Sequence, residues 1–286
     1  MSWFNDDDQL TLCPNGLALR KGLAEYALCN SIRKYYHQKR LGKPDQGKVY
    51  EITSATNPPN HFLRNGDFTR FTDWRFIHRA RLDCVPLNRS QRFSSRNRKC
   101  RRCGYANETL PHVLCHCKPN FLSITKRHNA IQDRLVRAFN APASTTIRIN
   151  QAIPGLDGSL RLDFVAINDT CETVSIIDVT MPFENRYAAF QAARQEKQTK
   201  YAPLAKHYNR QGYSVFLDAF IVEALGGWDP ANERIINHLK LGHSYCRLMR
   251  KLMVSDAIRW SRDIYIEHLS GVRQYQDTGD TRSGKC

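Results

Sequence analysis

Residues 160–181 read LRLDFVAINDTCETVSIIDVTM, and the fold turns on this stretch. It holds two β-rich runs, Leu160–Ile167 and Thr173–Met181, separated by polar residues around Asn168-Asp-Thr that suit a turn. Each run is dominated by Val, Ile, Leu and Phe, the pattern of a strand covered on both faces. Each is also interrupted by an acid, Asp163 in the first and Asp178 in the second, with fourteen residues between them. A carboxylate among buried apolar side chains is costly unless something pairs with it. Two such acids on strands joined by a turn suit Mg²⁺ or Mn²⁺, hard cations that combine carboxylates with phosphate oxygens.

The flanking segments extend this pair into an α/β unit. Upstream, Thr145–Asn150 is a third β-rich run, and Lys126–Asn140 places Ile131, Leu135, Val136 and Phe139 on one helical face. Downstream, Glu184 to about Tyr201 reads as a helix that Pro203 should end. That helix carries Arg194, Lys197 and Lys200, the two lysines sharing a face at i, i+3. Either ammonium can reach the acidic pair to orient water or stabilise a pentavalent phosphorane, and Glu184 is a weaker candidate for a further metal contact. Tyr213–Leu225 is a fourth strand, and helices fill 231–270. The order is α-β-β-β-α-β with added C-terminal helices. Ahead of it, residues 16–36 have helical periodicity, and Lys43-Pro-Asp-Gln-Gly and Asn57-Pro-Pro-Asn are linker chemistry. Phe4-Asn-Asp-Asp has the form of a polymerase palm motif, but only three residues precede it, and it reads as an acidic exposed terminus.

A second constellation lies between these parts. Cys100-Arg-Arg-Cys103-Gly-Tyr-Ala-Asn-Glu-Thr-Leu-Pro-His112-Val-Leu-Cys115-His116-Cys117 packs four of the ten cysteines into eighteen residues. Cys-x2-Cys-x8-His-x4-Cys supplies four ligands for a closed tetrahedral zinc site, with Cys115 and His116 as alternative fourth ligands. Clustered cysteines without a signal peptide read as a metal site in a reducing, intracellular compartment.

Charge indicates the partner. Forty-three Lys and Arg against twenty-seven Asp and Glu leave a formal +16, which favours a polyanion. Residues 64–102 hold twelve Lys and Arg and three Asp, interleaved with Phe68, Phe71, Trp74, Phe76 and Phe93. Trp74, His78 and Leu82 have helical spacing. The segment is either a solvated basic face over an aromatic stripe or a surface that tracks phosphates, and its position beside the cysteine cluster favours the second. The expected nucleic-acid contacts are Arg96, Arg98, Lys99, Arg101, Arg102, Lys126 and Arg127. No run of eighteen apolar residues exists to span a membrane.

Together these pieces resemble a known arrangement. The series Trp74-x3-His78-Arg-Ala-Arg-Leu, Cys100-x2-Cys103, Glu108-Thr-Leu-Pro-His112-Val-Leu, Lys126-Arg-His-Asn129, Arg161-x-Asp163, Asp178-Val-Thr and Lys200-Tyr201 is similar to the C-terminal region of non-LTR retrotransposon polyproteins. The similar group is the site-specific R-two clade, whose elements insert into ribosomal DNA. The resemblance covers residues 64–225 well and the last sixty loosely. It implies a zinc knuckle ligated by Cys100, Cys103, His112 and Cys117, followed by a restriction-like endonuclease of PD-(D/E)xK fold. It also implies that Asp163 and Asp178 bind the catalytic metal, and that the third-strand lysine has moved to the next helix. Thr180 then occupies the vacated place, and Lys197 or Lys200 is the replacement. Leu162 stands where the family usually has proline. No reverse-transcriptase palm or N-terminal DNA-binding fingers are present, which points to a truncated copy.

The implied organisation is a helical segment and linker (1–63), a basic aromatic helical segment (64–99), the knuckle (100–120), the endonuclease domain (121–275) and a disordered tail (276–286). The implied activity is metal-dependent nicking of target DNA in the nucleus, leaving a 3′-hydroxyl, with possible contacts to element RNA. The alternative is a catalytically inactive nucleic-acid-binding remnant of the same polyprotein. An RNA-processing or zinc-dependent adaptor would need no acidic pair.

Overall fold

A computed structural model of the chain describes residues 2–6, 9–13, 21–90, 97–152, 161–183 and 186–274. Phe93, Arg96, Glu184 and the tail expected over 276–286 lie outside the described residues.

The chain opens with a hairpin, β1 (Ser2–Asp6) antiparallel to β2 (Gln9–Cys13), which places Phe4–Asp6 on a strand. Four helices follow: α1 (Lys21–Leu41), α2 (Gln46–Ala55), the single turn α3 (Phe62–Asn65) and α4 (Phe71–Arg81). The α/β unit starts at α5 (Phe121–Ala138), five residues earlier than Lys126. It continues through β3 (Thr145–Ala152), β4 (Arg161–Asn168), β5 (Thr173–Thr180), α6 (Arg186–Arg210) and β6 (Ser214–Ile221), with α7 (Asn232–His238) and α8 (His243–Ser270) after it. The protein is thus mixed α/β, with a four-stranded sheet in the order β3-β4-β5-β6. Helix α6 is the crossover that the parallel β5–β6 pair requires. Beyond Ile221 the chain leaves the sheet, turning at Gly226 (φ +79°) into a bridge between Val222 and Trp228. Tyr213–Leu225 is therefore not one continuous strand.

Both faces of the sheet are covered, which explains why β4 and β5 read as nearly unbroken apolar runs. On one face, Phe164, Ala166, Ile177 and Val179 join a core built from α5, α8 and the segments around Phe76, Val85 and Val113. This core runs continuously from Phe62 to Tyr265. On the other face, Val165, Ile167, Val174 and Ile176 pack against Tyr201, Leu204 and Tyr208 of α6.

That second cluster corrects the reading of Pro203, because α6 passes through it to Arg210. Proline removes one helical hydrogen bond. The apolar stripe on either side of it is anchored to the sheet, and burial of Tyr201, Leu204 and Tyr208 outweighs the lost bond.

Register positions the acids. Strands β4 and β5 pair antiparallel from Asn168↔Thr173 to Phe164↔Ile177, and Asp163 and Asp178 are the residues that follow directly beyond this last pair. The strand is irregular there. Asn150, across from Asp163 on β3, has φ +54°, and the β3–β4 pairing skips this position. Leu162 breaks the alternation and joins Val165 and Ile167 in the cluster under α6.

Candidate active site and metal centre

Asp163, Asp178, Thr180, Lys197 and Lys200 line one cleft of about 280 Å³, together with Arg161, His128 and Tyr201. Asp178 is buried (2% exposed). Its Oδ1 accepts the Tyr201 hydroxyl at 2.8 Å, and Lys197 Nζ lies 2.8 Å from its Oδ2. Burial first, then the charge of Asp163, pushes the Asp178 carboxyl above the ordinary range, against the pull of Lys197 and Tyr201. Asp163 Oδ2 accepts the Val179 N–H at 2.7 Å and faces His128 Nε2 at 3.1 Å. Asp163 thus lies near enough for its charge to act on Asp178, and the two acids offer oxygen donors to the same cleft, the ligand type that hard divalent cations take.

The two lysines differ. Lys197 enters the ion pair, while Lys200 lies with Nζ 4.9 Å from the Tyr201 ring centroid. Arg194, one turn earlier, faces another way: it is buried between Asp218 and Asp229, with Nη2 2.7 Å from Asp229 Oδ2.

The cysteine segment forms a compact turn. Cys100 N–H donates to Ala106 O at 2.8 Å, and Gly104 (φ +72°) takes the left-handed conformation that folds Cys103 back toward Cys100. A single π-type turn over His112–His116 presents the imidazole. The ligand atoms of Cys100, Cys103, His112 and Cys117 all lie within 4.8 Å of one another, including 3.3 Å from Cys103 Sγ to His112 Nε2. Burial, then the Cys100 bond and the neighbouring thiols, push Cys117 up to about 12. This set of soft donors is compatible with zinc. The alternative ligands turn away. Cys115 points toward Met181 O and the Arg127 guanidinium, and His116 is exposed.

Behind the cluster is a network that the local spacing did not reveal. Glu108 is fully buried and accepts bonds from Asn88 N–H, from the Arg101 N–H and guanidinium, and from His268 of α8 at 2.9 Å. His268 Nε2 also lies 3.8 Å from Cys100 Sγ, while Asn120 Nδ2 is 3.2 Å from Nδ1.

The basic residues divide into two groups. Arg98 and Lys99 are exposed, and Lys99 Nζ donates to Tyr105 O at 2.9 Å. Arg101 binds Glu108, and Arg102 donates to His268 O at 2.6 Å, so both guanidiniums brace the cluster while remaining partly accessible. Arg127 departs from its expected role. It is 1% exposed, with its guanidinium on Ser261 Oγ and Leu114 O, because α8 and the cysteine segment close over it. Lys126 is half-buried. Of the aromatic residues, Phe76 enters the core, whereas Phe71 stacks on Trp74 at the surface with centroids 5.9 Å apart.

No protein-family model matches this chain, and no curated protein matches it. No helix among the described residues is long and apolar enough to cross a membrane.

Proposed function

We propose that the protein is a metal-dependent nuclease that nicks DNA, with a restriction-like core and a zinc-knuckle module, as the resemblance to R-two-clade polyproteins implies. The observation that carries this reading is the cleft in which two strand-borne carboxylates, a paired lysine and further cations converge. A general phosphate-binding pocket would have no use for two adjacent anions, which repel a phosphodiester unless a cation lies between them.

Asp163 and Asp178 would hold Mg²⁺ or Mn²⁺, which supplies an activated water and a Lewis acid on the phosphate. Lys197, on the rigid helix α6, neutralises charge building on the phosphoryl oxygens. Lys200 and Arg161 at the cleft rim attract the phosphate backbone, and Arg98 and Lys99 extend the positive surface. The Tyr201 hydroxyl fixes Asp178 Oδ1, so the carboxylate meets its ligand already oriented.

A plasmid-nicking assay in Mg²⁺ or Mn²⁺ tests the reading. Asp163→Ala and Asp178→Ala are each expected to abolish nicking while DNA binding is retained. Lys197→Ala is expected to slow cleavage on the order of 10²-fold, comparable to the loss of one charge-stabilising donor. A wild-type chain that binds DNA but never nicks it would favour the non-catalytic nucleic-acid-binding alternative.

A further inference from the structure

The geometry points to His128 as a positioning residue for Asp163, acting with Gln132 one turn along α5. The two side chains hold Asp163 at separate points. Gln132 Nε2 donates to the Asp163 backbone carbonyl at 2.6 Å and to Asn150 Oδ1 at 3.1 Å. His128 Nε2 lies 2.9 Å from Val179 O and 3.1 Å from Asp163 Oδ2. A carbonyl can only accept, so Nε2 carries the hydrogen and is shared between Val179 O and the carboxylate.

The clamp sits where the sheet needs it. At Asp163 the β3–β4 pairing skips a step, and the β4–β5 ladder has ended one residue earlier, so strand pairing alone does not fix the backbone there. Gln132 is 1% exposed, which makes the helix-to-strand bond a fixed part of the interior. With Val179 N–H and His128 both on Oδ2, the Asp163 carboxylate cannot rotate freely. Among the described residues Oδ1 has no hydrogen-bond donor and is the oxygen left to meet a cation. Outer partners of this kind orient metal-binding carboxylates, and their removal weakens metal affinity about 10–100-fold.

This inference rests on the nuclease reading for its catalytic meaning, and its test has a readout apart from cleavage. Mn²⁺ binding to the full chain is measured by electron paramagnetic resonance, with Asp178→Ala defining the signal that belongs to the cleft. Nicking is followed in parallel against Mn²⁺ concentration. His128→Ala is expected to weaken cleft-bound Mn²⁺ by about 10-fold or more and to move nicking to higher Mn²⁺. His128→Gln, whose amide N–H can replace Nε2–H, is expected to recover most of both. An unchanged Mn²⁺ affinity in His128→Ala, with the wild type nicking, overturns the inference and leaves the nuclease reading intact. Equal losses in the Ala and Gln variants, tracking a lowered thermal midpoint, reduce His128 to a packing residue and overturn it also. A wild type that binds Mn²⁺ in the cleft but does not nick refutes the nuclease reading alone, and weaker binding in His128→Ala would still support the clamp.

Discussion

Replacing Glu108 with glutamine tests how the cysteine cluster is tied to the rest of the protein. The bonds to Asn88, Arg101 and His268 hold this carboxyl down to about 2, against an ordinary 4.5, despite the opposing effect of burial. A depression of that size makes the charged form worth roughly 3 kcal/mol more in the folded than in the unfolded chain. Because the folded value is the lower one, this contribution is complete above about pH 4.5 and disappears as pH falls from there toward 2. Glutamine keeps the shape but loses the charge and one acceptor, and it sets an N–H against the Arg101 guanidinium or His268. The variant should therefore be about 2–3 kcal/mol less stable at pH 7, with the gap to wild type closing below pH 4.5. Urea unfolding followed by circular dichroism at pH 7, 5, 4 and 3 measures it. Titrating groups that do not touch Glu108 cancel in the difference; His268, whose proton affinity Glu108 supports, does not, and its loss of that support adds to the gap where the imidazole titrates. A gap below 0.5 kcal/mol at neutral pH, or one that stays constant into acid, would refute the reasoning.

Three further outcomes are expected. Protein purified without chelator should carry one zinc per chain by elemental analysis, and Cys103→Ser or His112→Ala should lose it along with stability, because metal binding here is folding energy. For DNA binding, Arg98→Ala with Lys99→Ala should flatten the dependence of log K on log salt by about 2 if each contacts a phosphate. Arg102→Ala should lower the thermal midpoint instead, since that guanidinium braces α8.

The strands and both site constellations were legible because their signals are local. Asp163 and Asp178 stand out against apolar runs whose two-sided burial leaves no polar alternation, and the cysteine spacing needs only a turn at Gly104. What escaped depends on distant packing. Pro203 is a helix breaker by propensity, yet the sheet beneath Tyr201 and Leu204 holds the helix through it. Arg127 sits in a basic tetrapeptide that reads as surface, and only the arrival of Ser261 on α8 shows that it is core. His128 lies within the motif Lys126-Arg-His-Asn129, but its partner Asp163 comes 35 residues later, and no periodicity links the two. Its position at i, i+4 to Gln132 on a helix facing a strand acid was the one available signal.

The reach of α8 has a consequence during synthesis. The four cysteine and histidine ligands emerge within one short stretch, but His268, which completes the bonds of Glu108, follows it by 160 residues. At about 5–20 residues per second, the ribosome needs on the order of 10–30 s to supply it. During that interval the four side chains can already gather around a cation while the carboxylate behind them still waits for its imidazole. Any ion taken up by the cluster would thus be captured locally and early, before α8 arrives to cover Glu108.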